Sequence, residues 1–281
     1  MARARYLSTN RREEVEDLAE AVAEEHFNGK RVEPAELLAI NRITLSCNDY
    51  GGAFDGLLEH RNGRFHVYCN TKDGRGLEDS RTRFTLGHEL GHFYIDEHRH
   101  VLASGSAPAH GSFVDFSNGN LAEQEADSFA SALLMPRAKF VRAGNRRGKN
   151  LSGVIQLAEE FGSSITSTAI RYARLEVTPC AVIRWSAEGM SWKWISTSAY
   201  AARFRGIQVQ PSCLVPSSPT RRALEEQSNP EAGYFTQGTT AAIWLPWLPA
   251  DARQNLILIE EAIRLGRYGV LTMLFPDRGS F

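Results

Sequence analysis

The stretch His88-Glu89-Leu90-Gly91-His92 constrains this chain more than any other, because it has the pattern H-E-x-x-H. Residues four apart lie on the same face of a helix, so the rings of His88 and His92 project together. Two imidazoles placed in this way can bind one divalent metal ion, and Glu89 then lies beside the ion as a base for water. We therefore predict a helix that carries two metal ligands and one general base.

The residues around this motif predict that the helix is buried. Asp79 and Ser80 can cap its N-terminus, where acidic and hydroxyl side chains are favoured. Apolar residues occupy two of its sides, which is typical of a buried helix. Gly87 and Gly91 are also four apart and leave a groove that a second backbone can approach. The alternative interpretation is a pair of core histidines that form hydrogen bonds and bind no metal.

Composition indicates an ordinary globular chain of 281 residues, with 42% hydrophobic and 23% charged residues. The net charge of −1 provides no overall field for nucleic acid or membrane. The four cysteines form no C-x-x-C pair, so neither a cysteine zinc site nor a disulfide framework is expected. The N-terminus lacks the apolar core of a signal peptide, and no apolar run is long enough to span a membrane. We expect a cytoplasmic protein.

A second predicted helix supplies carboxylates for the same site. It begins after the cap Asn120 and ends before Pro136. A catalytic metal site has three protein ligands and one open position, and we predict Glu123 as the third ligand. Asp127, four residues on, would orient a ligand histidine. Two alternatives remain: Asn120 and Glu123 have the spacing of a capping box, and Glu125 is another candidate ligand, although it faces a different side of the helix.

These motifs resemble those of the ImmA/IrrE metallopeptidases. The similarity covers the H-E-x-x-H stretch, Glu123-x-x-Ala126-Asp127-x-Phe129-Ala130 and Leu133-Leu134-Met135-Pro136. Many family members carry Asn at the position of Asp127, and both side chains accept a hydrogen bond from histidine. The resemblance implies a gluzincin-like zinc peptidase domain. It also implies a protein substrate, namely a helix-turn-helix repressor whose cleavage switches genes on.

Two stretches near the motifs complete the predicted peptidase region. Asn62-Gly63 predicts a β-hairpin with arms at residues 53–60 and 64–70, and an edge of it beside the metal helix would hold an extended peptide. The alternative is an ordinary sheet edge. Residues 96–120 predict a long loop. His98, His100 and His110 lie in this loop and are interpreted as solvated residues rather than ligands.

The remainder of the chain predicts two further parts. Residues 151–175 have the pattern of a helix-turn-helix, with a turn at Gly162. Only Arg171 and Arg174 are long basic residues suited to reading DNA, so DNA contact and a purely structural helix pair both stay open. After Pro179 a hairpin and three strands are predicted, the first of the three at AAIWLPWL. This order resembles family members that combine peptidase, helix-turn-helix and GAF-like domains in the radiation response.

The sequence thus predicts a multidomain α+β fold. Its parts are a metallopeptidase domain at residues 1–140, a helix-turn-helix domain at 141–178 and a GAF-like sensor or docking domain at 179–281. The predicted function is a metal-dependent endopeptidase that cleaves a transcriptional repressor and induces DNA-damage and radiation-response genes. The alternative is a DNA-binding transcriptional activator with a structural metal site. Zn(II) is the expected cofactor, and Mn(II) also suits a His/His/Glu set.

Overall fold

The computed structural model describes residues 7–105, 120–198, 204, 206–207, 209–225, 234–251 and 256–277. Helices and strands are both present, which confirms the α+β class. The chain divides into two compact units, the first made of Met1–Phe140 and Ala158–Ser164, the second of Val141–Leu157 and Ile165–Phe281. The division into three domains, with boundaries after residues 140 and 178, stays a prediction.

Helices make up most of the first unit. They are α1 (Thr9–Phe27), α2 (Pro34–Ile40), α3 (Ser80–Tyr94), α4 (Asp96–Ala103), α5 (Leu121–Leu134) and the first residues of α6 (Arg137–Asn145). The predicted N-terminal caps form on both motif helices. Asp79 accepts a hydrogen bond from the Arg81 amide on α3, and Asn120 accepts one from the Ala122 amide on α5. The two helices therefore begin where the sequence predicts.

A three-stranded sheet completes the first unit. It contains β1 (Thr44–Asn48), β2 (Gly56–Arg61) and β3 (Arg64–Asn70) in the order β1-β3-β2. β3 is parallel to β1 and antiparallel to β2. Asn62 and Gly63 have φ values of 52° and 72°, the positive values that a two-residue hairpin turn requires. The predicted hairpin is confirmed, and among the described strands β2 pairs with β3 alone.

The glycine groove of α3 brings α5 into close contact. A Cβ atom added at Gly91 would lie 3.0 Å from the Cα atom of Ala126, and one added at Gly87 would lie 3.3 Å from the Cβ atom of Ala130. Any larger side chain at these glycines would force the helices apart. The groove predicted from sequence is thus filled by the backbone of α5, which carries Glu123 and Asp127 to the histidine face of α3.

Residues 96–103 form α4 instead of the predicted loop. The stretch DEHRH has no apolar residue to mark a helical face, but Asp96 and Glu97 lie in the first turn, where acidic side chains are favoured. The loop prediction is therefore wrong for these residues. Residues 106–119, which include His110, lie outside the described residues.

The second unit is built on a five-stranded antiparallel sheet. Its strands are β4 (Ala181–Ser186), β5 (Gly189–Ile195), β6 (Phe235–Thr240), β7 (Ile257–Arg264) and β8 (Val270–Pro276), in the order β5-β4-β8-β7-β6. The short helices α9 (Pro219–Glu225) and α10 (Ala241–Trp244) lie between strands in the chain. The strand predicted at AAIWLPWL is wrong, because Ala241–Trp244 is helical. A short apolar run fits a buried helix as well as a strand, and periodicity cannot separate them.

The predicted pair of helices before this sheet is present. It consists of α7 (Leu151–Phe161) and α8 (Ile165–Arg174), joined through Gly162 at a φ of 62°. Across the described residues, no helix combines the length and apolarity needed to cross a lipid bilayer.

Candidate metal centre

Three buried donor groups from α3 and α5 converge on one point. The Nε2 atoms of His88 and His92 are 3.1 Å apart. Oxygens of the Glu123 carboxylate lie 3.3 Å from the Nε2 atom of His88 and 3.5 Å from that of His92. The three residues are 1%, 5% and 4% exposed. The structure thus brings together the two histidines of the motif and the carboxylate predicted as third ligand.

The spacing of these atoms fits a small divalent ion. In a tetrahedral site with bonds of about 2.0–2.2 Å, neighbouring ligand atoms lie about 3.3–3.6 Å apart. The observed separations of 3.1, 3.3 and 3.5 Å are close to these values and form one triangular face of such a site. Two imidazoles and one carboxylate are also the donor types that zinc accepts. The set therefore has the composition and spacing of three protein ligands with one position left for water or substrate.

The electrostatic environment of His88 favours positive charge at this point. Burial by itself lowers the pKa of His88, but hydrogen bonds to Asp127 and Glu123, aided by the nearby Glu89, outweigh burial and raise the pKa to about 10. The Nδ1 atom of His88 is 2.9 Å from the Asp127 carboxylate. Carboxylates thus surround the histidine pair and stabilise a cation there, a proton in the metal-free protein.

Glu89 is buried beside the three converging donors, which we call the donor triangle: Nε2 of His88, Nε2 of His92 and the Glu123 carboxylate. Strand β2 passes close to the carboxylate of Glu89. A Cβ atom added at Gly56 would lie 2.4 Å from Oε1 of Glu89 and 2.6 Å from Cγ2 of Thr85. Only glycine at position 56 leaves Glu89 in its observed place. Sequence reasoning did not single out Gly56. A glycine inside a strand often marks the close approach of another group, and that was the available clue.

His98 lies in a different environment from the one predicted from the sequence. It lies on α4 with its side chain 11% exposed, and its Nδ1 atom is 3.2 Å from the Nδ1 atom of His92. The interpretation of His98 as a solvated loop residue is therefore wrong, whereas His100 is exposed. Burial and the neighbouring His92 lower the pKa of His98 to about 4, so its ring is neutral at physiological pH.

Glu125, the alternative third ligand, faces His98 instead of the donor triangle. Its Oε2 atom lies 3.2 Å from Nε2 of His98 and 3.0 Å from a guanidinium nitrogen of Arg11. Glu123 occupies the position next to His88 and His92. Glu123 and Glu125 are two residues apart on α5 and therefore project from different sides of the helix.

The two basic residues considered for reading DNA are both engaged inside the second unit. Arg171 is 1% exposed, and the guanidinium group of Arg174 lies 4.5 Å from the centroid of the Trp194 ring. The middle of α8, from Thr166 to Ala173, is buried. A recognition helix must present side chains to a groove of the duplex. The observed burial of α8 therefore gives the DNA-binding interpretation no support.

Comparison with known proteins assigns this region to a family. Residues 74–172, which include α3, α4 and α5, match the family model described as the IrrE N-terminal-like domain. Residues 74–172 are therefore similar to an IrrE N-terminal-like domain. The resemblance to the ImmA/IrrE family is confirmed over this region, which contains the three converging donors His88, His92 and Glu123. The assignment supports a regulatory protein of the metallopeptidase type.

A solved structure shares the fold over most of the chain. It is a Mycobacterium tuberculosis transcriptional regulator with 14% sequence identity and a TM-score of 0.56; the match covers 95% of this chain and 81% of that one. At this identity the likeness concerns the fold alone. No curated protein matches the chain.

Proposed function

We propose that this chain is a metal-dependent endopeptidase in which His88, His92 and Glu123 hold the metal and Glu89 is the general base. The convergence of three buried donors at separations of 3.1–3.5 Å carries this proposal. Glu89 lies on the same helix between the two histidines, yet it is not one of the three converging donors. Ligands and base are thus different residues, as hydrolysis by an activated water requires.

The bound divalent ion would lower the pKa of a water molecule and polarise the scissile carbonyl group. Glu89 removes a proton from the attacking water and returns it to the leaving amine. Asp127 accepts the hydrogen bond from Nδ1 of His88, which leaves the Nε2 lone pair of that ring directed at the donor triangle. Burial of the site limits bulk water and strengthens each of these electrostatic contacts.

The sheet beside Glu89 supports a protein substrate. β2 is an edge strand among the described strands, and its first residue, Gly56, lies against the Glu89 carboxylate. An extended peptide can add to such an edge through main-chain hydrogen bonds. A segment bound along β2 would pass the catalytic carboxylate, where its backbone can be cut.

The family resemblance narrows the proposal further. It makes the substrate a helix-turn-helix repressor whose cleavage induces DNA-damage and radiation-response genes. It also implies that this chain combines a gluzincin-like peptidase domain, a helix-turn-helix pair and a GAF-like sheet domain. The name of the structural neighbour, a transcriptional regulator, is consistent with a role in gene control. Zn(II) is the proposed ion, with Mn(II) as the alternative.

The Glu89→Gln variant tests the proposal most directly. Purified parent and variant are loaded with Zn(II) or Mn(II), analysed for metal content and incubated with candidate helix-turn-helix repressors. We expect equal metal content and loss of cleavage in the variant, because glutamine cannot accept the proton. His100→Gln, an exposed change on α4, is the control and should cut as the parent does. A Glu89→Gln protein that still cuts would remove Glu89 from the role of base.

A further inference from the structure

The ring of His92 contacts a second histidine that belongs to neither sequence motif. The two Nδ1 atoms, of His92 and His98, are 3.2 Å apart, and the ring centroids are 5.1 Å apart. The Oε2 atom of Glu125 lies 3.2 Å from Nε2 of His98 and 3.0 Å from a guanidinium nitrogen of Arg11. These four residues come from α3, α4, α5 and α1 and form one continuous chain of polar contacts. We call it the His98 relay.

We infer that His98 is a positioning residue that fixes the tautomer and orientation of the metal ligand His92. The inference rests on the proposed function, in which Nε2 of His92 gives its lone pair to a cation. In a neutral imidazole that lone pair requires the ring proton to sit on Nδ1. Nδ1 of His92 must then donate, and Nδ1 of His98 must accept.

The direction of each remaining contact follows from the first. Because Nδ1 of His98 accepts, its proton sits on Nε2 and is donated to Glu125. An ionised carboxylate only accepts, and Glu125 receives the guanidinium of Arg11 as well. The side chains of His98 and Glu125 are 11% and 12% exposed, so water has little access to either contact. Reversing any link would place two donors or two acceptors face to face.

The two ligand histidines are therefore held in different ways. His88 donates directly to a carboxylate, Asp127, at 2.9 Å. His92 contacts the ring of His98, which in turn contacts the Glu125 carboxylate. Partners of metal-bound histidines typically contribute 10–100-fold to metal affinity. Loss of the His98 relay should lower metal affinity by about this factor.

The test measures Zn(II) affinity of the full chain by competition with a chromophoric chelator. His98→Phe keeps a ring in the space but removes both nitrogens, and we expect roughly 10–100-fold weaker binding. His98→Asn places an amide oxygen near the position of Nδ1, so most of the affinity should return. His100→Phe, exposed on the same helix, is the matched control and should bind as the parent does. Glu125→Leu breaks the relay one contact further away, and a smaller loss is expected.

Each outcome bears on the inference. His98→Phe with parental affinity, or His98→Asn as weak as His98→Phe, would overturn it. If His98→Phe does not fold, as judged by circular dichroism, the Glu125→Leu variant decides, and parental affinity in Glu125→Leu overturns the relay. Asp127→Ala separates the two levels of the argument. A loss of metal affinity in Asp127→Ala without a loss in His98→Phe refutes the relay alone, whereas a parent chain that binds neither Zn(II) nor Mn(II) refutes the proposed function as well.

Discussion

Glu260 in the second unit and Glu123 in the first are both buried, but the groups that face their carboxylates differ in chemical type. Glu260 in the second unit is 1% exposed and accepts hydrogen bonds from three groups of its own unit. They are the Ser218 hydroxyl at 2.6 Å, the Thr220 amide at 2.9 Å and the Trp244 indole at 3.1 Å. Glu123 in the first unit is 4% exposed and faces ring nitrogens of His88 and His92, the atoms that a metal would share with it.

The difference separates a carboxylate that its own fold satisfies from one that faces two candidate metal ligands. The donors around Glu260 are neutral groups fixed by the fold, and the network continues through Thr220, Thr272 and Trp185. Such a network holds a charge without any outside partner. Glu123 instead faces ring nitrogens that can offer lone pairs, an arrangement that a bound cation would complete. Burial alone does not mark a site; the chemical type of the facing atoms does.

The largest expected effect comes from removing Glu123, the carboxylate proposed as the third metal ligand. Glu123→Ala should weaken metal binding by more than about 100-fold, because even partners one step further out contribute 10–100-fold. Cleavage of the repressor should be lost with it. The free energy of unfolding of the metal-free protein should change little, since a costly buried charge is removed as well. Full metal occupancy of this variant would mean that another side chain is the third ligand.

Removing Glu260 should lower the stability of the protein and leave its metal affinity unchanged. Glu260→Ala leaves three buried donors without their acceptor, at about 1–3 kcal/mol each, so the free energy of unfolding should fall by about 3 kcal/mol or more. Metal affinity of the first unit should not change. Denaturant unfolding and zinc titration measure the two quantities, and Glu188→Ala, an exposed change near the β4–β5 turn, is the control. A stable Glu260→Ala protein would contradict the comparison.

Metal removal tests both units in one protein. A ligand present at 100 times its dissociation constant stabilises the folded state by about 2.7 kcal/mol. Chelation should therefore raise amide exchange in α3 and α5, which hold the proposed ligands, and leave β7, which carries Glu260, as protected as before. Hydrogen exchange followed by mass spectrometry resolves these segments. Equal deprotection of both units would show that the metal supports the whole chain instead of one site.

Much of the first unit follows from local patterns in the sequence. The spacing of His88 and His92, the caps Asp79 and Asn120, and the Asn62-Gly63 turn each depend on residues within a few positions of one another. The glycine groove on α3 also predicts close approach of another backbone, and α5 fills it. These features are determined by helix and turn geometry, so the sequence alone predicts them.

The missed features depend on contacts between distant elements. His98 reaches His92 because the chain turns at Ile95 and starts α4 at once. The helix α4 is only eight residues long and mostly polar, so the sequence does not separate it from the Gly- and Ser-rich stretch that follows. Ala241–Trp244 is helical where an apolar run suggested a strand. In each case tertiary packing decided between local options that the sequence left equal.

The smallest expected effect comes from moving the Glu89 carboxylate without changing the proposed metal ligands. Gly56→Ala would place a Cβ atom 2.4 Å from the Glu89 carboxylate and 2.6 Å from Thr85, so the carboxylate must move. A displacement near 1 Å of a catalytic group can lower turnover by about 10- to 100-fold. Zinc affinity should stay at the parental value, because His88 and Glu123 are not displaced. Gly52→Ala, whose added Cβ meets nothing within 4 Å, is the control. Parental turnover in Gly56→Ala would show that Glu89 tolerates displacement and that catalysis here depends on the ligand set alone.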